Sequence, residues 1–342
     1  MSEKNYLKDD IKYYILGYSD YIRNSLCDII NLESVTYYDS FKGNNFFERC
    51  IHRLFVSRYV HAFSFIMMPF WKNKYWGGKK PNRNDECILI LYEINPLSNK
   101  IQWIKQVKKD FPHIKIVYIF TNIIDAHRMW RLNQINKHRD LYNLILTFNR
   151  SDAEKYNMTH YEGVFSAKKI DKKLLAEADE CDVYFCGLDK GRLRFLKKIY
   201  DYLVENGVHC IFDIIYPENT SVEQTENFRY HSKLIDNDQM LANVNKAKCI
   251  LEVMVDKSQP GSSLRMCESI AYKKKLITNN PFASEKYFFN KEQMRYFDQP
   301  EDIDIQYITK DLNDEMYLPQ DFLSPTKFLE FLEKRLYENP KK

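Results

Sequence analysis

Residues 259–280, QPGSSLRMCESIAYKKKLITNN, carry the most chemically suggestive side chains of the chain. The apolar segment 249–254, CILEVM, precedes them and predicts a strand, which a polar turn connects to a short helix and to a second strand, LITN. Free backbone N–H groups at the start of such a helix form an anion site. The residues that begin this helix are Gly261, Ser262 and Ser263.

Two charged residues on the same helix extend this expectation. Arg265 lies in the first turn and Glu268 follows three residues later, on the same helix face. Such a pair is also compatible with a simple surface ion pair. Next to an anion site, however, it predicts a cation for a phosphate and a carboxylate for sugar hydroxyls. The segment therefore predicts a site for a phosphorylated sugar or nucleotide.

A second loop, at residues 187–192, predicts further anion contacts. Gly187 and Gly191 would let the backbone approach a ligand closely, and Lys190 and Arg192 supply positive charge. The alternative is a solvated turn before a helix that begins with basic residues. In the functional interpretation these cations bind a diphosphate and stabilise charge that develops on a leaving group. The polar segment 231–237 would flank a nucleobase.

Strand and helix patterns alternate along most of the chain, which predicts parallel α/β layers. Apolar runs of this kind are typical of strands covered on both faces, and they lie at residues 13–18, 87–93, 114–121, 143–148, 183–187, 209–216 and 249–254. We expect an N-terminal acceptor-binding domain at 1–168, a C-terminal nucleotide-sugar-binding domain at 169–323 and a helix at 324–342 that packs back on the rest of the chain. Two Rossmann-like parallel-sheet domains would then face a cleft, with ligands at the carboxyl ends of the strands.

Composition disfavours several classes of protein. The 342 residues carry 51 basic and 47 acidic side chains and a formal net charge of +4, which does not indicate nucleic-acid binding. The eight cysteines include no CxxC pair, so we expect buried thiols in a reducing cytoplasm and no metal site. The polar N-terminus is unlike a signal peptide. The longest uncharged run, near 60–71, is shorter than the ~20 residues that span a bilayer.

If the chain transfers a group to a hydroxyl with inversion, a base must deprotonate that hydroxyl, and Asp, Glu or His at the carboxyl end of a strand of the N-terminal domain would serve. The candidates are Asp20, Glu93, Asp125 and His127. For each one alone, a cap, a turn residue or an exposed charge is the simpler explanation. Glu93 and Asp20 are preferred for their positions, because Glu93 ends a predicted strand and Asp20 follows the first strand after Gly17, Tyr18 and Ser19.

Three blocks of sequence resemble bacterial glycosyltransferases of the GT-B fold, as found in capsule, exopolysaccharide and O-antigen (lipopolysaccharide) gene clusters. The blocks are residues 144–157, 183–214 and 259–280, and together they cover under a quarter of the chain. The resemblance implies transfer of a sugar from a nucleotide-sugar, with UDP as the expected nucleotide, to a lipid-linked oligosaccharide. It also implies catalysis without a metal or a tightly bound cofactor.

The resemblance assigns a role to Glu268, which matches the second of two glutamates on this helix and would contact the ribose. Pro260 stands where the first glutamate is expected, so whether the enzyme inverts or retains the sugar configuration stays open. Gly187, Lys190, Arg192, Ser262, Ser263 and Arg265 would complete the donor site.

The segment 69–83 predicts contact with a membrane surface. It contains five basic residues and no acidic ones, interleaved with aromatic side chains that favour the headgroup region. We expect a cytoplasmic protein that binds peripherally to the inner face of an anionic membrane through Trp71, Lys72, Lys74, Trp76, Lys79 and Lys80. The simpler alternative is a surface loop whose aromatic residues are partly buried.

Two other classes of function compete with a transferase. A dinucleotide-dependent oxidoreductase would show GxGxxG after the first strand, whereas this chain has GYSDYIRNS at 17–25. A GT-like scaffold that has lost catalysis stays open, because the first glutamate of the helix motif is absent.

Overall fold

The computed structural model describes residues 10–17, 20–38, 46, 49–50, 53, 76, 79–217, 223–255, 257 and 263–338. The chain divides into two compact units. Unit 1 comprises Met1–Val164 and Ser324–Lys342, and unit 2 comprises Phe165–Leu323. The C-terminal segment therefore belongs to unit 1, and unit 2 begins slightly before the expected position 169.

Unit 1 contains, in its described part, a parallel sheet of six strands in the order β2-β1-β3-β4-β5-β6. The strands are β1 Lys12–Leu16, β2 Val35–Tyr38, β3 Cys87–Tyr92, β4 Lys115–Phe120, β5 Leu144–Thr147 and β6 Thr159–His160. The helices are α1 Asp20–Ser25, α2 Ile101–Asp110, α3 Ala126–Lys137 and α4 Arg150–Lys155. The strand order changes direction between β1 and β3, so the residues that follow these strands lie where ligands of such sheets bind.

The sheet of unit 1 is apolar because both faces are covered. Every residue of β3 is buried. One face packs against α2, and the other is covered by the C-terminal helix, which we number α10 (Pro325–Glu333) once the helices of unit 2 are counted. Phe328, Leu329 and Leu332 of this helix are buried in that cluster, and the hydroxyl of Tyr13 donates to Glu333.

Unit 2 repeats the plan with six described strands in the order β12-β11-β10-β7-β8-β9, again all parallel. The strands are β7 Cys181–Leu188, β8 Cys210–Ile215, β9 Phe228–His231, β10 Ala247–Glu252, β11 Lys275–Thr278 and β12 Met294–Tyr296. The helices are α5 Lys172–Glu177, α6 Leu193–Glu205, α7 Asn237–Lys246, α8 Leu264–Ala271 and α9 Ile305–Thr309. The strand order reverses between β7 and β10, which places the ligand-binding crevice at their carboxyl ends.

The expected fold class of two Rossmann-like parallel-sheet domains is confirmed, and the expected cleft between them stays a prediction. The sequence did not predict β2, β6, β9 and β12, which all lie at or next to a sheet edge. These strands are short, and their few residues lack the continuous apolar run that marks a central strand.

The proposed membrane role of Trp76 is wrong. Its side chain is only 3% exposed and packs against Tyr14, Tyr38, Trp103 and Phe111 in the core of unit 1. A ring that is buried among other rings contributes to the core and is not available to contact a lipid surface.

The other residues of the expected membrane contact have mixed outcomes. Trp71, Lys72 and Lys74 lie outside the described residues, while Lys79 and Lys80 are exposed. No helix in the described ranges is both long enough and apolar enough to cross a membrane.

Candidate functional site

Two arginines mark the carboxyl ends of β7 and β10 in unit 2. Arg265 Nη2 donates to the carbonyl oxygen of Cys186 over 2.8 Å. Arg192 Nη2 donates to that of Leu188 over 2.8 Å, and its Nη1 donates to that of Val253. Each guanidinium carries further N–H donors that these bonds do not use. The folded backbone therefore fixes two positive charges at the strand switch point.

The loop between β7 and α6 positions Arg192. Lys190 and Gly191 adopt left-handed backbone conformations with φ of 48° and 80°, and the Asp189 carboxylate accepts from the backbone N–H of Leu193 over 2.8 Å. Lys190 is exposed. Burial lowers the pKa of Arg192 to about 10, with the nearby Arg265 adding to the effect.

Gly187 has a role that differs from the predicted one. A Cβ atom at this position would lie 2.8 Å from Nη2 of Arg192. The absent side chain thus makes room for the guanidinium. Close approach of the backbone to a ligand, which the sequence predicted for Gly187, stays a prediction.

Arg265 and Glu268 form the predicted pair on α8, but the pair is buried. Glu268 is 1% exposed, and its carboxylate is in contact with Arg265 Nη1. Burial raises the pKa of Glu268, and Arg265 works against this rise. Burial disfavours the charge of Arg265 as well, yet the adjacent Glu268 carboxylate raises its pKa overall. Glu268 therefore holds Arg265 in place, and its contact with a ribose stays a prediction.

Ser263 caps α8, because its Oγ accepts from the backbone N–H of Met266 over 3.1 Å. Its hydroxyl also hydrogen-bonds the carboxylate of Glu252. The hydroxyl is thus engaged within the protein, unlike the ligand-facing role predicted for it. Ser262 and Gly261 lie outside the described residues.

Glu252, at the end of β10, was not identified from the sequence. It is 4% exposed, and Thr278 at the end of β11 donates its hydroxyl to the carboxylate. Burial raises the pKa of Glu252, against the opposing effect of Ser263 and Thr278. An acidic residue inside the apolar run CILEVM was the available signal.

A second buried carboxylate, Asp213 in β8, was also missed. Its two oxygens bond the hydroxyl of Tyr184 over 2.8 Å and Nε2 of His231 over 2.7 Å. His231 ends β9 and begins the polar segment 231–237, whose predicted contact with a nucleobase stays a prediction. Asn243 of α7 donates to the Tyr184 hydroxyl over 3.2 Å and completes the network.

In unit 1, Glu93 is a buried, paired carboxylate. Its side chain is 1% exposed and lies 3.0 Å from Arg128 Nε and 2.9 Å from Arg131 Nη1. The backbone N–H of Thr121 also donates to it, over 3.2 Å. This arrangement favours a role in joining the ends of β3 and β4 to α3 over that of an accessible base.

Asp125 and His127 lie at the start of α3 and are both exposed. Asp125 caps the helix, and its carboxylate pairs with Arg128 over 2.7 Å. Desolvation acts to raise the pKa of Asp125, but hydrogen bonds and charge from Arg128, with charge from His127, together lower it overall. Arg128 thereby links Asp125 to Glu93. Asp20 begins α1 after the first strand, and its side chain lies outside the description.

Among the described residues, no group of three or more His, Cys, Asp and Glu side chains is arranged to hold a metal ion.

No protein-family model matches the sequence, and comparison with curated proteins gave no match. Among solved structures, a protein assigned as a UDP-N-acetylglucosamine 2-epimerase from Listeria monocytogenes is similar with a TM-score of 0.50 and 7% identity, over 98% of this chain and 99% of that one. The UDP-N-acetylglucosamine 2-epimerase of Rickettsia bellii is similar with a TM-score of 0.48 and 10% identity, over 96% of this chain and 99% of that one. The glycotransferase of kitacinnamycin is similar with a TM-score of 0.48 and 9% identity, over 96% of this chain and 100% of that one.

Sequence identities this low are informative about the fold and not about the reaction, and we base no argument on the two structures with TM-scores below 0.5. The Listeria protein supports the same conclusion as the two sheets: the chain has an α/β fold of two Rossmann-like units.

Proposed function

We propose that the chain is a glycosyltransferase that uses a nucleotide-sugar. The observation that carries the proposal is the pair of guanidinium groups fixed beside the start of α8. Arg192 and Arg265 are held by backbone carbonyls where the strand order of unit 2 reverses. A nucleoside diphosphate has the charge and size that such an edge binds.

The fixed cations suit the chemistry of transfer. When a sugar leaves its nucleotide, negative charge grows on the diphosphate, and donors that are already oriented stabilise it without reorganisation. In this proposal Arg192, Arg265 and the exposed Lys190 contact the diphosphate. Glu268 orients Arg265 and presents its remaining lone pairs to the ribose, while Ser262 and Ser263 belong to the helix start that receives a phosphate.

The acceptor side of the proposal lies in unit 1. Asp125 and His127 are the exposed candidates for a base, and Asp20 stays a candidate from its position in the sequence. Glu93 would fix Arg128 and Arg131. The acceptor is a hydroxyl of a glycan, and we place the reaction in the synthesis of a surface polysaccharide on a lipid-linked oligosaccharide. UDP is the proposed nucleotide, and we propose that no metal is required.

Thermal unfolding in the presence of UDP, GDP, CMP and dTDP tests the donor site. A ligand at 100 times its Kd adds about 2.7 kcal/mol to stability, which raises Tm by roughly 5–11 °C for a unit of this size. Arg265→Gln should abolish the shift. Arg194→Gln, which removes the same charge from an exposed position of α6, should keep it. No shift with any nucleotide would count against the proposal.

A second candidate is a GT-like scaffold that binds a nucleotide without transferring a sugar. The burial of Glu93 and Glu268 against arginines favours it, because neither carboxylate is free to accept a proton from substrate in this structure. Product analysis with UDP-glucose and UDP-N-acetylglucosamine separates the candidates. Transfer or hydrolysis supports the enzyme, a 2-epimer of the sugar nucleotide indicates an epimerase, and binding without turnover supports the scaffold.

A further inference from the structure

Two consecutive asparagines after β11 have amide groups without hydrogen-bond partners. Asn279 is 1% exposed and Asn280 is 0% exposed. Neither Nδ2 atom has a partner among the residues that the structure describes. Buried donors in native proteins are almost always satisfied, so two adjacent exceptions indicate a binding group from outside the chain.

The orientation of both carboxamides is fixed by their oxygens. Asn279 Oδ1 accepts from the backbone N–H of Met254 over 2.6 Å, and Asn280 Oδ1 accepts from that of Phe282 over 3.0 Å. These bonds assign which atom of each carboxamide is nitrogen. Since the oxygens are occupied, only N–H donors remain, and they select for an acceptor oxygen.

Asn279 is connected to the start of α8 through Glu252, and Asn280 follows it directly in the chain. The backbone N–H of Asn279 donates to the carbonyl of Glu252 over 3.3 Å, and the Glu252 side chain contacts Ser263, the N-cap of α8. Arg192 and Arg265 act electrostatically on the same carboxylate. The helix terminus and the guanidinium groups favour negative charge near Asn279, beside the Glu252 carboxyl, whose pKa burial raises.

We propose that Asn279 and Asn280 bind an anionic oxygen of the ligand of unit 2. The oxygen belongs either to a phosphoryl group of the nucleoside diphosphate or to a carboxylate on the sugar that it carries. The assignment rests on the proposed nucleotide-sugar site and adds two residues to it. Burial removes the bound oxygen from water, which strengthens these hydrogen bonds.

Calorimetric titration of the full chain with pyrophosphate, UDP, UDP-glucose and UDP-glucuronate tests the proposal. Asn279→Asp and Asn280→Asp keep the fixed oxygen and replace the donor with a negative acceptor. Asn313→Asp, at an exposed position of unit 2, makes the same charge change and serves as the matched control.

If the oxygen belongs to the diphosphate, both variants bind pyrophosphate and UDP at least tenfold more weakly than the wild type and the control. If it belongs to a sugar carboxylate, only the affinity for UDP-glucuronate falls. The proposal is overturned if both variants bind every probe as the wild type does, or if the wild type binds none of them.

A second measurement covers the case in which the variants do not fold. In the wild-type protein, the side-chain amide resonances of Asn279 and Asn280 should shift when a saturating probe is added. Unmoved resonances alongside measured nucleotide binding would overturn this inference and leave the proposed function intact. Binding of pyrophosphate but of no nucleotide, with shifted resonances, would reject the proposed function and retain the oxyanion site.

Discussion

At the scale of single residues, the buried charged side chains of unit 2 interact with one another, and the same arginines are the ones proposed to bind a ligand. Glu252 and Glu268 are buried beside Arg192 and Arg265, and burial raises the pKa of both carboxyls. A buried carboxylate costs free energy that pairing only partly offsets. Such a cost is expected where a protein fixes charges in advance for binding.

Glu252→Gln should make the stability of unit 2 less dependent on pH. Because the native pKa of Glu252 is raised above its ordinary 4.5, the native state binds the proton more tightly than the unfolded chain. Its contribution to stability is complete below that ordinary value and is lost as pH rises through the native pKa. The glutamine side chain keeps an acceptor oxygen for the Thr278 hydroxyl and does not titrate, so the variant does not lose this stability as pH rises.

The measurement is Tm as a function of pH for both proteins. The Tm of Glu252→Gln relative to the wild type should increase as pH rises from 4 towards 8. A difference that does not change with pH would contradict the assignment of a raised pKa.

Residue types and spacing were enough to identify the Arg265–Glu268 pair and Arg192, because these partners are close in sequence or lie in a recognisable loop. Glu252 and Asp213 were missed, since their partners come from strands and helices that are distant in sequence. One acidic residue in an apolar run does not reveal whether a hydroxyl from another strand, such as that of Thr278, will donate a hydrogen bond to its carboxylate.

At the scale of elements, the loop between β7 and α6 positions Arg192 at the carboxyl end of β7. The central strands were predictable because both of their faces are buried and their sequences are continuously apolar. The edge strands β2, β9 and β12 were not, because they are short and their burial is mixed.

Gly187→Ala should weaken nucleotide binding while changing stability little. The new Cβ would lie 2.8 Å from the end of the Arg192 side chain, which must move away from its carbonyl partners. Because the displaced atom ends a flexible side chain, we expect a loss of stability of at most about 1 kcal/mol.

The readouts are Tm and the Kd of the nucleotide that stabilises the wild type. Arg192→Lys, which cannot bond two carbonyls in the same geometry, should weaken binding to a similar degree. Unchanged affinity in Gly187→Ala would show that the position of Arg192 does not matter for binding.

At the scale of the whole molecule, the chain returns to unit 1 after completing unit 2. Helix α10 covers one face of the first sheet, and Phe328, Leu329 and Leu332 lie in its core. The sequence was enough to predict a separate helix at 324–342. The face that it covers was not predictable, because that requires contacts between residues some 300 positions apart, such as Tyr13 and Glu333.

Removal of Ser324–Lys342 should destabilise unit 1 selectively. Losing the burial of three core side chains costs roughly 4.5–9 kcal/mol at about 1.5–3 kcal/mol for each. Calorimetric unfolding should show one transition moved to lower temperature and a second one, with its nucleotide-dependent shift, kept. Equal destabilisation of both transitions would contradict this division of the chain.

Contact with a membrane is a further prediction at this scale. We expect the chain to float with vesicles that contain anionic lipid and to be released by salt, since the exposed Lys79 and Lys80 are attracted to the lipid charge. Replacing both with Gln should reduce flotation. Binding that is absent, or indifferent to salt, would contradict the prediction.

Unit 2 should bind a nucleoside diphosphate at the carboxyl ends of β7 and β10. The decisive measurement is a crystal structure of the chain with the nucleotide that raises Tm most. We predict diphosphate oxygens within about 3 Å of N–H donors at the start of α8 and of Arg265 or Lys190. A nucleotide bound elsewhere on the chain, with these groups unchanged, would contradict the account.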